Sequence, residues 1–410
     1  MYRIDSWCWN GRLIATIFVG LLWVASLATI VHNRHDQWDF QVYYWAGKAW
    51  ARTLNPYELD SLKSVAGNND LDLPFVYPPI TLPFFRLFSL APYDVSSNIW
   101  LALKVLGLVA LVGLWWRTFL KNVDGLVFLV VVLMGFNGAT LWDLRSGNIT
   151  ILEQLFLWAG FWCYLRGQRS CFALLAVLSS VFRITPIVLL GLLLFPRERR
   201  RTGLRILVAG VVTFVLLVFS PLLYHPSLVR SFLANLMNLP FDVGPFDPCA
   251  FALINFLGRY FFVAKSPLWV ASLTYLVWGA FVVVVVALTS RPLLFALKRD
   301  DRLSALVYAI LAYSLVVPRV MAYSYMILIV PVLFLLYGLP ASVPTVGLLL
   351  LPICTPTGGL PVRTASLISD YYPFLLTLGL WYVLIRGHVD LGRSAQILMA
   401  RNPGTQHGRE

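Results

Sequence analysis

The chain has 410 residues, of which 59% are hydrophobic and only 12% are charged. Soluble globular proteins carry about 25% charged residues, so this composition excludes a water-soluble multidomain protein. The apolar residues fall instead into blocks of roughly 15 to 24, and about 20 apolar residues are enough for a helix to cross the hydrocarbon layer. A helix also satisfies its own backbone polar groups where no water is present. The composition therefore predicts an all-α protein that crosses a membrane many times.

The apolar blocks, taken in chain order, predict about 10–12 transmembrane helices. The separate blocks are Leu13–Val31, Val95–Trp116, Leu126–Trp142, Ile149–Leu165, Leu204–Leu223, Leu268–Thr289, Leu303–Val317, Tyr325–Tyr337, Val343–Thr355 and Tyr371–Ile385. We interpret the first block as a membrane span and not as a signal peptide, because it lacks a small-residue cleavage site followed by a soluble domain.

The first long loop, residues 32–94, is rich in aromatic residues, which settle at membrane interfaces. Asp39–Arg52 is predicted to form a short interfacial helix, and Asn55-Pro56-Tyr57 is predicted to end it. Phe75-Val76-Tyr77-Pro78-Pro79 is predicted to be extended, because a residue that precedes a proline is pushed out of the helical region. Ile80–Leu90 is a further short apolar element. An ordered loop of this length indicates a functional segment.

One apolar block, Cys171–Phe195, contains Arg183 and Pro186 in its middle. If this block crossed the membrane once, Arg169 and the cluster around Arg199 would lie on opposite sides. Arginine-rich loops favour the cytoplasmic side. A broken re-entrant hairpin that turns near Arg183 places both clusters inside and Arg183 near the outer surface. The same topology gathers more than half of the lysines and arginines inside and accounts for the net charge of +13.

The remainder of the chain adds a second long outer loop, residues 224–267, and a polar tail, residues 388–410, which we predict to be cytoplasmic and disordered. Residues 1–387 are then a single transmembrane domain. The five cysteines are scattered, without a CxxC or Cys/His cluster, so neither a metal site nor another cofactor is predicted. The basic charge is explained by topology and by contact with the lipid bilayer, and nothing indicates nucleic acid.

Several short motifs occur in order along the chain. They are Asp39-Phe40-Gln41-Val42-Tyr43-Tyr44, Ala46-Gly47, Asn55-Pro56-Tyr57, Phe75-Val76-Tyr77-Pro78-Pro79, Ser146-Gly147-Asn148, Phe182-Arg183-Ile184-Thr185-Pro186 and Val317-Pro318-Arg319. Together they resemble glycosyltransferase family 87, which belongs to the GT-C membrane glycosyltransferases and includes polyprenol-phosphate-mannose-dependent mannosyltransferases. The chain departs from the family at Arg183, where lysine is usual, at Val317, where the family has serine, and in having no histidine near that segment.

The resemblance implies a GT-C-like bundle with active-site loops facing the periplasm or exterior of the cytoplasmic membrane. It also implies transfer of a mannose-like hexose from a polyprenyl-phosphate-sugar donor to a lipid or glycan acceptor, with inversion at the anomeric carbon. The rival interpretation is a transporter or lipid flippase, because these also carry broken helices and charges within the membrane. Such proteins usually show two related halves, and the sequence shows none.

The family's first-loop aspartate corresponds to Asp39, which is therefore expected to be the general base. From the residues alone, the favoured interpretation of Asp39 is a solvated carboxylate at the membrane interface, which could also serve as a helix N-cap. Arg183, Arg319 and Arg145 are expected to bind the donor phosphate, because a guanidinium offers a two-pronged fork to phosphate oxygens. For Arg319 and Arg145 the alternative is an arginine that extends its side chain to the interface. Arg183 lies inside an apolar block, where a charge is functional by default.

The expected substrate-binding residues come from the same motifs and from the adjoining span. They are Tyr43, Tyr44, Asn55, Tyr77, Asn148 and Glu153. Glu153 either pairs with one of the arginines or acts on the acceptor, and pairing is the favoured interpretation. Lys104 lies inside a span without an evident partner and is left unassigned.

Overall fold

The computed structural model describes residues 3–32, 37–67, 71–194, 200–237, 252–261, 268–338, 363–387 and position 391. These residues form helices and connecting turns, and no strand occurs among them. The predicted span Val343–Thr355 and almost all of the predicted tail lie outside the described residues.

Fifteen α-helices can be assigned within the described ranges. Their bounds are α1 Arg3–His32, α2 Trp38–Ala51, α3 Leu59–Ala66, α4 Leu82–Phe88, α5 Tyr93–Thr118, α6 Gly125–Ser146, α7 Thr150–Leu165, α8 Arg169–Phe182, α9 Arg200–Phe219, α10 Pro226–Met237, α11 Leu253–Phe261, α12 Leu268–Lys298, α13 Arg302–Val316, α14 Ile329–Gly338 and α15 Arg363–Ile385. Four 3₁₀ segments connect some of them, at Pro79–Thr81, Thr185–Leu194, Ser220–Leu223 and Ala322–Leu328.

Within the described ranges, five helices are long and apolar enough to cross a membrane. These spans are Leu13–His32, Tyr93–Thr118, Gly125–Ser146, Arg201–Leu223 and Ser272–Lys298. Six shorter apolar helical segments accompany them in the described part of the chain. Large apolar side chains such as Val212 on α9, Val283 on α12 and Leu106 on α5 are exposed, as expected for surfaces that face lipid. The protein is therefore an all-α polytopic membrane protein, as predicted.

The broken re-entrant hairpin is present. Helix α8 ends at Phe182, Arg183 has extended backbone angles, and the 3₁₀ segment Thr185–Leu194 follows. The 3₁₀ segment packs back along α8. Gly203 on α9 lies next to both ends of this hairpin. A Cβ placed on Gly203 would meet the carbonyl of Leu193, at the end of the 3₁₀ segment, and would lie 4.0 Å from a guanidinium nitrogen of Arg169, at the start of α8. Arg183 therefore lies at the tip of the hairpin, at the opposite end of α8 from Arg169.

Helix α6 is interrupted in its middle, which the sequence did not lead us to expect. Phe136, Asn137 and Gly138 have left-handed backbone angles with φ of 54°, 60° and 70°. Phe136 is fully buried and its ring stacks on Tyr325 at a centroid distance of 6.3 Å. The kink thus packs the second half of α6 against the 3₁₀ segment Ala322–Leu328.

The described residues of the first long loop, 37–67 and 71–94, are ordered, as predicted. Helix α2 matches the predicted interfacial helix, and 71–78 is non-helical before the short helix α4. Helices α2 and α4 cross at Gly47, where a Cβ would come within 2.8 Å of backbone atoms of Phe85 and Arg86. Only a glycine permits this close approach. Helix α3 was not predicted, and α12 continues through Pro292 to Lys298, past its predicted end at Thr289.

Candidate active site

The short connection between α6 and α7 carries Asn148 in a fixed position. Gly147 ends α6 with φ of 73°, and the indole nitrogen of Trp100 donates to its carbonyl at 2.7 Å. The backbone N–H of Asn148 donates to the Ser146 hydroxyl at 3.1 Å. The side-chain oxygen of Asn148 accepts from the backbone N–H of Thr150 at 3.1 Å, which satisfies a free donor at the start of α7. The buried Asn148 amide is thereby aimed at the neighbouring α2.

Asp39 lies in the first turn of α2 and receives that amide. Nδ2 of Asn148 donates to Oδ2 of Asp39 at 2.9 Å, joining residues 109 positions apart. Gln37, and not Asp39, is the N-cap of α2, and Asp39 is only partly buried. A Cβ on Gly147 would approach Cβ of Phe40 to 2.8 Å and Cβ of Gln37 to 2.9 Å, so α2 lies directly against the Asn148 connection. The N-cap alternative for Asp39 is therefore excluded.

The environment of Asp39 makes its carboxyl group a weaker acid than usual. Burial raises the pKa of Asp39 to about 6, against the lowering effects of the Asn148 hydrogen bond and the Lys104 charge. The nearby Asp143 carboxylate adds to the rise. A carboxylate with a pKa near the working pH is suited to accept a proton from a hydroxyl group.

Lys104 and Asp143 form a fully buried ion pair between α5 and α6. Nζ of Lys104 lies 3.0 Å from Oδ2 of Asp143, and both side chains have no exposed surface. The ammonium also donates to the main-chain carbonyl of Asp143. Lys104, for which the sequence suggested no partner, is therefore paired with Asp143. Asp143 lies one residue beyond the predicted span Leu126–Trp142, so it was not recognised as a charge within the membrane. This pair fixes charges of both signs close to Asp39.

Three tyrosines surround the Asp39–Asn148 contact. The hydroxyls of Tyr43 and Tyr77 are 2.6 Å apart, and Nδ2 of Asn148 approaches the Tyr77 hydroxyl at 3.5 Å and that of Tyr323 at 2.9 Å. Burial raises the pKa of Tyr77 to about 12 and that of Tyr43 well above its ordinary value, so both are neutral hydrogen-bonding groups. Tyr43 and Tyr77 were expected near the substrate, whereas Tyr323 was not identified from the sequence.

Arg183 joins the hairpin tip to the same network. Its Nη1 donates to the Ser324 hydroxyl at 2.7 Å and its Nη2 to the Thr150 hydroxyl at 3.2 Å. The Thr150 hydroxyl in turn donates to Oδ1 of Asn148 at 2.8 Å. Nε of Arg183 lies 3.5 Å from Oε2 of Glu153, so the favoured pairing of Glu153 with an arginine is observed. A chain of short contacts thus connects Asp39 to Arg183.

A narrow cavity opens beside Arg183, and Arg319 and Glu153 line it as well. Two of the three arginines predicted to bind phosphate therefore face one space. Arg145 does not line that cavity. It is exposed, with its guanidinium 6.0 Å from the ring centre of Trp38 and 5.8 Å from that of Trp142.

Two further predicted residues lie at other contacts of the outer loop. The Tyr44 hydroxyl donates to the carbonyl of Ala91 at 2.8 Å. The Asn55 amide donates to Glu58 at 2.8 Å and to the Ser231 hydroxyl at 3.0 Å. Asn55 therefore ties the turn after α2 to α10, and Tyr44 ties α2 to the start of α5.

The residues that sequence reasoning missed are Tyr323, Thr150 and Ser324. Each stands within five residues of a recognised motif: Thr150 follows Asn148, and the other two follow Arg319. Extending each motif by five residues would have included them. Among the described residues, no group of three or more His, Cys, Asp or Glu side chains is placed to hold a metal ion.

Comparison with known proteins gives one match. The family model for glycosyltransferase family 87 matches residues 75–318, more than half of the chain. The matched region includes Asn148, Glu153 and Arg183, and it ends one residue before Arg319. Asp39 lies well before its start at residue 75. No curated protein and no solved structure matches the chain.

Proposed function

Because the chain belongs to glycosyltransferase family 87 and is a membrane glycosyltransferase, we propose that it transfers a hexose, with mannose as the first candidate, from a polyprenyl-phosphate carrier. The acceptor is a lipid or glycan on the outer face of the cytoplasmic membrane. The observation that carries the proposal is the hydrogen-bonded chain from Asp39 through Asn148 and Thr150 to Arg183. It holds a carboxylate and a guanidinium on adjoining sides of one site.

In the proposed reaction, the acceptor hydroxyl attacks the anomeric carbon while the bond from that carbon to the phosphate oxygen breaks. Asp39 takes the hydroxyl proton, and the polyprenyl phosphate leaves with an additional negative charge. A single displacement of this kind inverts the anomeric centre, so a β-linked donor gives an α-linked product. Proton removal by a positioned base contributes about a hundred- to ten-thousand-fold to the rate.

Arg183 and Arg319 supply positive charge to the departing phosphate. Arg183 is the stronger candidate, because Thr150, Ser324 and Glu153 hold its guanidinium in one orientation. Donors that are oriented before the reaction stabilise developing charge without reorganisation. Glu153 balances the charge of Arg183 while the site is empty.

The test uses purified protein in liposomes with radiolabelled polyprenyl-phosphate mannose or glucose, and with the matching nucleotide sugars as comparison donors. The proposal expects transfer from a polyprenyl-phosphate sugar and none from a nucleotide sugar. Arg183→Ala is expected to lower the rate about 100-fold, since one lost donor of this kind costs about 3 kcal/mol. Arg183→Lys is expected to retain part of the activity.

Arg145→Ala is the matched control, since it removes the same charge from an exposed arginine that does not line the cavity. If Arg145→Ala and Arg183→Ala lower transfer equally, the cavity is not the phosphate site. Transfer from a nucleotide sugar alone would refute the polyprenyl-phosphate donor. Export of labelled lipid without glycosyl transfer would instead support the transporter interpretation.

A further inference from the structure

Two cysteines face each other across the antiparallel helices α7 and α8. Cys163 lies in the last turn of α7 and Cys171 in the first turn of α8. Their Sγ atoms are 2.7 Å apart, and both are free thiols. A disulfide bond is about 2.05 Å long, so the two sulfur atoms need to approach by less than about 1 Å to form one. The pair has no part in the proposed reaction.

The connection between the two helices holds the cysteines close together. The backbone N–H of Gln168 donates to the carbonyl of Cys163 at 2.9 Å. Gly167, just before it, has φ of 78°, a left-handed angle that glycine adopts without strain. Farther along the pair, a Cβ on Gly160 would lie 3.3 Å from Cβ of Leu175, so the helices are in close contact there as well. The approach of the two sulfur atoms is therefore part of the packing of α7 on α8.

The surroundings of the pair favour thiol chemistry over a metal site. A structural zinc site takes four protein ligands, and within the described ranges no third His, Cys, Asp or Glu completes a group around the two cysteines. Arg166 and Arg169 lie between them in the chain, and the sequence predicts both arginines to be on the cytoplasmic side. Protein thiols are kept reduced in that compartment, and the disulfides that form there are usually transient or redox-sensing.

We infer that Cys163 and Cys171 form a reversible disulfide, which cross-links α7 to α8 when a small-molecule disulfide such as oxidised glutathione oxidises them. Cys171 is partly exposed whereas Cys163 is only 4% exposed, so the thiolate of Cys171 attacks the small disulfide and releases one thiol. The thiolate of Cys163 then attacks the Cys171 sulfur of the mixed disulfide and releases the second thiol. Two electrons pass from the cysteines to the small disulfide, and the two protons end on the released thiols.

The cross-link lies at the far ends of the two helices from the candidate active site. At the near ends, Arg183 beyond α8 contacts Thr150 and Glu153 of α7. Oxidation therefore joins α7 and α8 at both ends, covalently at one and through the contacts of Arg183 at the other. Closing this short loop restricts the unfolded chain, so the oxidised protein is expected to have a thermal midpoint about 3 °C higher than the reduced protein. A lower midpoint would contradict a cross-link that fits the existing packing.

The experiment exposes membranes that contain the full chain to glutathione buffers with a rising oxidised fraction. The samples are quenched in acid, their free thiols are alkylated, and the protein is digested with trypsin without reductant. Trypsin cleaves after Arg166 and Arg169, so Cys163 and Cys171 end in separate peptides that only a disulfide can join. The joined peptides are expected to appear as the oxidised fraction rises and to separate again when reduced glutathione is restored. Cys163→Ala should instead retain glutathione on Cys171, because the second thiol is gone.

The control is a variant in which Cys8, Cys249 and Cys354 are all replaced by alanine, so that only the pair remains. It should give the joined peptides at the same oxidised fraction as the wild type. Alkylation of both cysteines of the pair in the most oxidising buffer would overturn the inference. Glutathione on the wild-type protein without joined peptides would overturn it as well. Joined peptides that reduced glutathione does not separate would mean a permanent disulfide and would rule out the reversible pair.

Discussion

Asn148 is the residue through which the proposed base can be tested without altering the base itself. Its amide donates to Asp39, and its oxygen accepts from the backbone and hydroxyl of Thr150. We expect Asn148→Ala to remove the hydrogen bond that lowers the pKa of Asp39, while burial continues to raise that pKa. The pKa of Asp39 should therefore increase from its value of about 6.

The magnitude follows from the strength of the lost bond. A hydrogen bond to a charged group is worth about 1.5 to 3 kcal/mol, and one pKa unit corresponds to 1.36 kcal/mol. The acid limb of the pH–rate profile should move upward by about 1 to 2 units. A general base works in its deprotonated form, so the variant should lose most activity near pH 6 and recover much of it near pH 9.

The assay is the initial rate of glycosyl transfer from a polyprenyl-phosphate sugar between pH 5 and 9, at saturating donor. Asn55→Ala is the matched control, because the Asn55 amide donates to Glu58 and to Ser231, in the turn beyond the other end of α2 from Asp39. Its acid limb should remain that of the wild type. If the acid limb of the pH–rate profile does not shift in Asn148→Ala, or shifts equally in both variants, that limb does not report the ionisation of Asp39.

Three other substitutions test the surroundings of the site. Gly147→Ala should unfold at a markedly lower temperature and lose activity, because its Cβ would meet Phe40 and Gln37 and its φ is 73°. Gly67→Ala is the control, because Gly67 has a similar φ of 64° but open space around it. It should lower the free energy of unfolding only by the cost of the left-handed backbone, about 1 to 2 kcal/mol. Lys104→Met should destabilise by about 3 to 5 kcal/mol by leaving Asp143 as a buried, uncompensated charge, and adding Asp143→Leu should restore most of the loss. Asp39→Asn should raise the thermal midpoint of unfolding at pH 8 and leave it nearly unchanged below pH 4. The reason is that the pKa of Asp39 is raised in the folded protein, so its ionisation lowers the stability of the fold as the pH rises through about 6. A lower midpoint at pH 8 would contradict the pKa assigned to Asp39.

The re-entrant hairpin was predictable because charge constrains topology strongly. The prediction that the arginines at the two ends of the block Cys171–Phe195 share a side required a break between them, and Arg183 with Pro186 marked it. The structure places that break at Arg183, between α8 and the 3₁₀ segment Thr185–Leu194. The proline that disfavours a continuous helix and the charge that disfavours a fully apolar span therefore predict the break at the same place.

The kink in α6 was missed because hydropathy measures only how apolar a segment is. Phe136, Asn137 and Gly138 form an uninterrupted part of an apolar block, yet all three have left-handed angles. Asn and Gly tolerate such angles more readily than other residues, which was the available local signal. Phe136 has no such tolerance, and its stacking on Tyr325 is a tertiary contact that the sequence does not encode locally.

The sequence indicated several residues of the candidate site, but, apart from the pairing of Glu153 with an arginine, not how they connect. The motifs indicated Asp39, Asn148 and Arg183 separately. Their connection depends on α2, the turn after α6 and the hairpin tip meeting in space. The Lys104–Asp143 pair shows the same limit, because a partner 39 residues away on another helix has no signature in the spacing.

The central claim is that Asp39 acts as the base for glycosyl transfer from a lipid phosphate carrier. The most direct measurement is the single-turnover rate of transfer from a polyprenyl-phosphate sugar by wild type and by Asp39→Asn in the same liposomes. The amide matches the carboxylate in shape but cannot take up the proton, so the rate should fall about a hundred- to ten-thousand-fold while the donor still binds. A rate for Asp39→Asn within a few-fold of the wild type would contradict the claim and direct attention to Glu153.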